Sequence, residues 1–178
     1  MEQLLQAGAL ASGIAFGAFM MLGTPSPPTI QSFPSPTGSP SNPISTPRLE
    51  TVLLVDLSER AVYVTQGKTL IARYPVAVGK EGSKTPTGHF RVTDMQVNPS
   101  WKSPFTAKVY PPSLDNPIGD RWIEFLTLPD GNKIGFHGTH YEGSVGRAAS
   151  AGCLRMKRTH LHALYRQVHR GTPVIVKN

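Results

Sequence analysis

TVLLVDLSERAVYVTQGKTLIARYPVAV, residues 51–78, decides the fold class. It holds three runs rich in Val, Leu and Tyr, at Thr51–Leu57, Arg60–Gln66 and Thr69–Val78, each partly alternating between apolar and polar residues. A period of two places successive side chains on opposite faces of a strand, and β-branched residues suit a pleated, half-buried surface. Gly67-Lys68 supplies a turn between the second and third runs, so the stretch reads as an antiparallel meander.

Downstream, strands are expected at Gly88–Asp94 (GHFRVTD), Arg121–Leu126 (RWIEFL) and Lys133–His137 (KIGFH), separated by Pro, Asn and Gly breakers. One helix is expected after them. Thr159 can cap it, Leu161, Leu164, Tyr165 and Val168 follow helical spacing, and Gly171 can end it. A last strand at Thr172–Val176 closes a mainly β body with one C-terminal helix, and no internal repeat or heptad is present.

Upstream, the texture changes twice. Leu4–Gly23 (LLQAGALASGIAFGAFMMLG) is an uncharged apolar run of about the length needed to cross a bilayer, so residues 1–23 read as a transmembrane anchor or signal peptide. No Lys or Arg precedes it and no A-x-A site closes it, which favours an anchor. Residues 24–48 carry eight of the chain's 17 Pro among Ser, Thr and Gly. Such a stretch buries too little apolar surface to fold and reads as a disordered linker with extended reach. The folded domain is thus expected over residues 49–178 on the extracytoplasmic side of a membrane, in the cell envelope.

Glu2 and Arg48 cancel within the first 48 residues, so the net charge of +7 belongs to the folded part. A basic domain associates with anionic polymers. Nucleic acid is an unsuitable partner here, because no recognised binding module is present and the apolar N-terminal segment points to export. An acidic wall polymer fits better. The single cysteine, Cys153, excludes an intramolecular disulfide.

Cys153 lies in IGFHGTHYEGSVGRAASAGCLRM, Ile134–Met156, where Gly, Ser and His are dense. Glycines permit tight turns and close backbone approach, as a substrate-binding loop requires. A thiol attacks a carbonyl as thiolate, and an imidazole that takes its proton activates it. Cys153 with His137 is sufficient for that chemistry, the accessible carbonyl of Gly138 could fix the tautomer, and Ser150-Ala151-Gly152-Cys153 could present N–H groups to an oxyanion. Arg155 would share a face with Cys153 on an extended piece and offer a cation to a substrate carboxylate.

Plainer readings exist: Cys153 as a small buried hydrophobe, His137 as a core histidine, or His137, His140 and Cys153 as zinc ligands. The spacing is not a known metal signature, and Glu142 is the only carboxylate close in sequence. His89, His160, His162 and His169 read as surface or structural, and Trp101, Tyr110, Trp122 and Tyr141 as core or stacking aromatics.

HGT at His137–Thr139, SVG at Ser144–Gly146 and SAGCLRM at Ser150–Met156 together resemble the signature of L,D-transpeptidase (YkuD-type) catalytic domains. PVAVGKEGSKTPTGHF at Pro75–Phe90 and NPIGDRW at Asn116–Trp122 resemble two further segments of that family, so the resemblance runs from about Leu49 to Val176. It implies a sandwich-like or partly closed barrel, Cys153 as nucleophile, His137 as base and the Gly138 carbonyl to orient it. It implies peptidoglycan stem peptides as acyl donor and amine acceptor, a thioester intermediate, carbapenem sensitivity and no cofactor. Hydrolysis of the thioester, or wall binding without chemistry, are the rival outcomes on the same fold. Ala151 departs from the pattern, since many members have His directly before the Gly-Cys pair.

Overall fold

The computed structural model describes residues 49–178 apart from residue 114. The membrane segment expected at residues 1–23 and the linker expected at 24–48 lie outside the described residues. Among the described residues no helix is long and apolar enough to cross a membrane.

The meander forms as expected: β1 (Thr51–Asp56), β2 (Ala61–Gln66) and β3 (Thr69–Pro75) pair antiparallel in sequence order. The third run stops earlier than its composition suggests. Val76 and Ala77 are fully buried; the Val76 N–H still goes to the Arg60 carbonyl, at the start of the meander's second run, but the Ala77 N–H leaves the meander for the Arg155 carbonyl. Val78–Gly79 then forms a separate short strand, β4.

The strand expected at Gly88–Asp94 divides in two, because the chain changes sheets there. β5 (Gly88–Arg91) ends one sheet and β6 (Asp94–Val97) begins the edge of another. At the corner, Val92 donates to the Thr172 carbonyl and Thr93 to that of Glu124, so each N–H is satisfied by a different sheet. A small hairpin follows, β7 (Trp101–Lys102) with β8 (Val109–Tyr110), then β9 (Arg121–Thr127) and β10 (Lys133–His137). Two short strands, β11 (Ala148–Ser150) and β12 (Leu154–Arg155), precede the helix α1 (Arg158–Tyr165) and the last strand β13 (Pro173–Lys177).

α1 begins one residue before Thr159, whose hydroxyl is not its cap. Lys157 occupies the cap position without a side-chain bond, and the Arg158 N–H is met instead by Glu142 Oε1 at 3.3 Å. The helix ends at Tyr165, and Gly171 serves the turn into β13, at φ +93°.

Two sheets share the core. The first has order β3-β2-β1-β13-β5, with β13 inserted parallel to β1 so that Leu53 pairs with Val174 and Val55 with Val176. The second has order β12-β10-β9-β6. Leu53, Val62 and Val174 from the first face Ile123, Phe136 and Leu154 from the second, with Leu161 and Leu164 of α1 filling in. Phe90, Phe125 and Phe136 stack in a tilted ladder, with centroids 5.5 and 5.4 Å apart, that joins β5 to the second sheet. The result is the expected mainly β fold, with one α-helix among the described residues.

The register of the second sheet decides where chemistry can occur. Phe136 pairs with Ile123 on one side and Leu154 on the other, all within the core. The next residue along, His137, pairs with Trp122 and Arg155 on the opposite face, which is the floor of a cleft. A bulge between Ile134 and Gly135 brings β9 unusually close: a Cβ at Gly135 would lie 2.3 Å from the Ile123 carbonyl oxygen. Gly135→Ala is therefore expected to destabilise the fold by about 1–3 kcal/mol through overpacking, read as a lowered denaturation midpoint. Unchanged stability would show that β9 yields there without cost.

Candidate active site

The cleft above the second sheet has a volume of about 880 Å³. Its floor carries His137, Cys153 and Arg155, one wall is the β7–β8 hairpin with Trp101 and Lys102, and Thr139, His140 and Tyr141 close another side. β10 and β12 run parallel and pair Arg155 with His137 on the cleft side, and Cys153, in the bend just before β12, lines the same cleft.

His137 is held by its own strand end. Its Nδ1 lies 2.6 Å from the Gly138 carbonyl oxygen, and since a carbonyl only accepts, Nδ1 carries the proton. Nε2 of the neutral ring is left as an acceptor. Burial is the main influence on the ring and pushes its pKa down to about 4, against the opposing effect of the Gly138 carbonyl and with help from the Arg155 charge. His137 is therefore neutral near pH 7.

Cys153 is half-buried, and its thiol donates to the Lys133 carbonyl at 3.4 Å. Burial raises its pKa, and the Gly135 N–H and the Arg155 charge, which act the other way, do not offset this. At rest the site thus holds a neutral thiol and a neutral imidazole in one cleft, with the thiol bonded to Lys133 rather than to the ring. The ion pair that a Cys/His constellation suggests is not the resting state.

The turn before the thiol is pinned from below. Thr85, buried, accepts from the Gly79 N–H at 3.0 Å and donates to the Gly152 carbonyl at 2.8 Å. A Cβ on Gly79 would lie 2.2 Å from the Ser83 carbonyl oxygen, so this turn tolerates no side chain there. Gly152 takes φ +117°, and its N–H is taken up by Ser150 Oγ at 3.1 Å. Among the described residues the N–H groups of Ala151 and Cys153 meet no acceptor, so these are the donors the turn leaves for a ligand. Ala151 is exposed on the cleft wall.

The Asn116–Trp122 segment holds several parts in place. Buried Asn116 donates from Nδ2 to the carbonyls of Pro99 (2.8 Å) and Pro111 (3.3 Å), gripping both ends of the hairpin, while its own carbonyl accepts from His140 Nε2 at 2.7 Å. Gly138 donates to the Ile118 carbonyl at 2.9 Å, and a Cβ on Gly119 would lie 3.0 Å from the Gly138 Cα. Asp120 fastens the segment to α1 by accepting from His162 Nε2 and Arg158 Nη2, each at 2.8 Å. Burial would raise its pKa, but His162 and Arg158 outweigh that and hold its carboxyl below the usual value.

Sequence reasoning placed His137, Gly138, Ser150, Ala151, Gly152, Cys153 and Arg155 in one site, and the structure brings all of them to the cleft or its immediate backing. It did not find Asn116, Asp120, Thr85 or the hairpin. The signal for three of these was present in the TPTG and NPIGDRW matches, which gave no roles. His140 turns its Nε2 to Asn116, and among the described residues no group of three or more His, Cys, Asp or Glu side chains is arranged to hold a metal ion.

Residues 50–176 match the family model of the L,D-transpeptidase catalytic domain. Among curated proteins, a putative L,D-transpeptidase, YqjB, of Bacillus subtilis (strain 168) is 39% identical over 104 residues, covering 58% of this chain and 57% of that one. A probable L,D-transpeptidase, YcfS, of Escherichia coli (strain K12) is 30% identical, covering 71% of this chain and 43% of that one. This chain thus aligns with only about half the length of those relatives. The catalytic domain of the Enterococcus faecium L,D-transpeptidase superposes with TM-score 0.56 at 21% identity, covering 72% of this chain and 97% of that domain, a likeness of fold.

Two outcomes follow from the site's physics. The native pKa of His137 is about 4 against an ordinary 6.5, so as pH falls through that window the unfolded chain takes a proton that the native one does not. Stability should be full above pH 6.5 and fall by about 3 kcal/mol toward pH 4; urea unfolding of His137→Gln should lack this component. Asp120→Asn, which leaves Arg158 and His162 facing a neutral amide, should cost about 1–3 kcal/mol in the same assay; no loss would mean the clamp carries no load.

Proposed function

The chain belongs to the L,D-transpeptidase catalytic domain family, and on that footing we propose that it cross-links peptidoglycan by acyl transfer through Cys153. The observation that carries the reading is the neutral His137 ring, its Nδ1 proton committed to Gly138 and its Nε2 free to accept, in one cleft with a lone thiol.

In this reading a stem tetrapeptide enters the cleft and displaces the Cys153 thiol from the Lys133 carbonyl. Sγ attacks the carbonyl carbon of the L-centre of the third residue while its proton passes to His137 Nε2. Burial disfavours a standing ion pair, so proton transfer and attack are coupled, and the imidazolium that forms is supported by the Gly138 carbonyl. The oxyanion is received by the N–H groups of Cys153 and Ala151, the two donors left without an acceptor.

Collapse breaks the bond to the terminal D-alanine, whose amine leaves with the proton from His137, and a thioester remains. The amine of a neighbouring stem then attacks, His137 takes its proton, and the thiol is restored as the new amide forms. Arg155 holds a donor carboxylate on the floor. No cofactor enters these steps. Ser150 and Gly152 act by shaping the turn, and Ala151 leaves open the space that a His would fill.

The layout read from the sequence supports an extracytoplasmic location: a transmembrane anchor or signal peptide at residues 1–23, a linker at 24–48 and the catalytic domain at 49–178, facing the wall. Its partners are stem peptides and, through the anchor, the membrane. With purified disaccharide-tetrapeptide as donor and acceptor, wild type should give cross-linked dimers and Cys153→Ala none, a drop of at least about a thousandfold. Equal dimer yield from both proteins would sink the role of Cys153. Release of tripeptide without dimer would assign the hydrolase reading instead. A carbapenem should add its mass covalently to wild type and not to Cys153→Ala.

A further inference from the structure

The cleft carries a charge imbalance that the acyl-transfer steps use only in part, through Arg155. Lys102, Lys133 and Arg155 line it, and among the described residues no carboxylate does. Lys133 is already neutralised, its Nζ 2.6 Å from buried Glu124 behind the floor. Lys102 and Arg155 have no ion-pair partner among the described residues. Two uncompensated cations therefore face one space with low-dielectric walls, which focuses their field on whatever enters.

Their placement says where the matching anions sit. Arg155 follows Cys153 by two positions and both line the cleft, so their Cα atoms lie within about 7 Å of each other. An anion held there lies within a residue of the attacked carbonyl. Lys102 comes from the wall. Its hairpin is braced by Trp101 against Tyr110, with centroids 5.5 Å apart, and is gripped at both ends by Asn116. Lys102 thus belongs to a fixed wall, and Lys108, just before the facing strand β8, its Nζ 4.7 Å from the Tyr110 ring centroid, adds charge of the same sign.

We infer that the cleft selects an acyl donor with two free carboxylates, one held by Arg155 beside the scissile carbonyl and one by Lys102 on the hairpin, and discriminates against a donor whose carboxyls are carboxamides. The inference rests on the acyl-transfer reading and adds the substrate's charge state to it. A carboxamide forfeits the Coulomb attraction and turns N–H donors toward cations that need acceptors, so the unmatched pairing costs more than the lost bond.

The test compares two disaccharide-tetrapeptide donors that differ only in having side-chain carboxyls free or amidated, with the full chain and with Lys102→Gln and Lys102→Glu. Wild type should favour the free-carboxyl donor in kcat/KM by about tenfold or more, as charge-assisted bonds require. Lys102→Gln should cut that preference about fivefold, the effect of one partly exposed ion pair. Lys102→Glu should cut it further, with the loss appearing in KM. Raising salt should narrow the wild-type preference. Equal use of both donors, or a preference unaltered in a folded Lys102→Gln, would overturn the inference. Direct binding of both donors to inactive Cys153→Ala, by calorimetry, separates the two claims. Tighter binding of the free-carboxyl donor, even where wild type cross-links neither, would sustain the charge selection while refuting the acyl transfer.

Discussion

The site depends on the register of β10 between β9 and β12. Phe136 and His137 are adjacent, one fully buried between sheets and the other on the cleft floor, and side chains on a strand alternate without exception for such neighbours. A slip by one residue would drive the imidazole into the core and the phenyl ring into the cleft. Phe136 prevents this by filling the space between Ile123, Phe125 and Leu154, and the missing side chain at Gly135 lets β9 close on the bulge that sets the count. The position of the His137 ring is therefore a by-product of core packing. Gly138 completes it by docking its backbone on Ile118 and Gly119, which fixes the carbonyl that selects the ring's tautomer.

The burial that orients His137 also expels its charge. A solvated imidazole could be held protonated beside the thiolate and keep part of the thiol ionised at rest, open to any electrophile. Here the ring is too acidic to hold that proton without a developing negative charge nearby, and the thiol is bonded to the Lys133 carbonyl, an acceptor that favours the protonated form. In the acyl-transfer reading, reactivity is thus tied to the arrival of a carbonyl carbon that can receive electrons from sulfur and of an oxyanion that Cys153 and Ala151 N–H groups can receive. Arg155 assists by its charge near both groups, lowering the pKa of each, and so favours thiolate over imidazolium.

Much of this was legible in the sequence where the information is local. The meander of β1, β2 and β3 follows from alternation and the Gly67 turn, and the Cys153–His137 site follows from the spacing of small residues around them. What was not legible involves distant partners. GHFRVTD reads as one strand because nothing in its own seven residues says that Val92 will pair with one sheet and Thr93 with another. β13 reads as an ordinary last strand, whereas its parallel place beside β1 is set by a sheet that wants both neighbours filled. β7 and β8 have two residues each amid Pro and Ser, too short for any period. Thr159 resembles a helix cap, but Glu142, 16 residues earlier, meets the first helical N–H instead.

That last substitution points to how the small domain keeps a large cleft open. α1 has eight residues and no cap of its own, a length at which an isolated helix is unstable. Its N-terminus is secured by Glu142 from the loop that follows His137, and its exposed side by Asp120 from the segment that supports Gly138. The helix in turn buries Leu161 and Leu164 in the core. Polar contacts from the active-site loops thus pass their load to apolar packing, and apolar packing holds those loops where their backbone groups must point. Asn116 extends the same logic to the hairpin, since its one amide ties both ends of that wall and its carbonyl ties His140. The cleft needs no covalent staple because each of its walls is anchored through a buried polar residue to an element that the hydrophobic core already fixes.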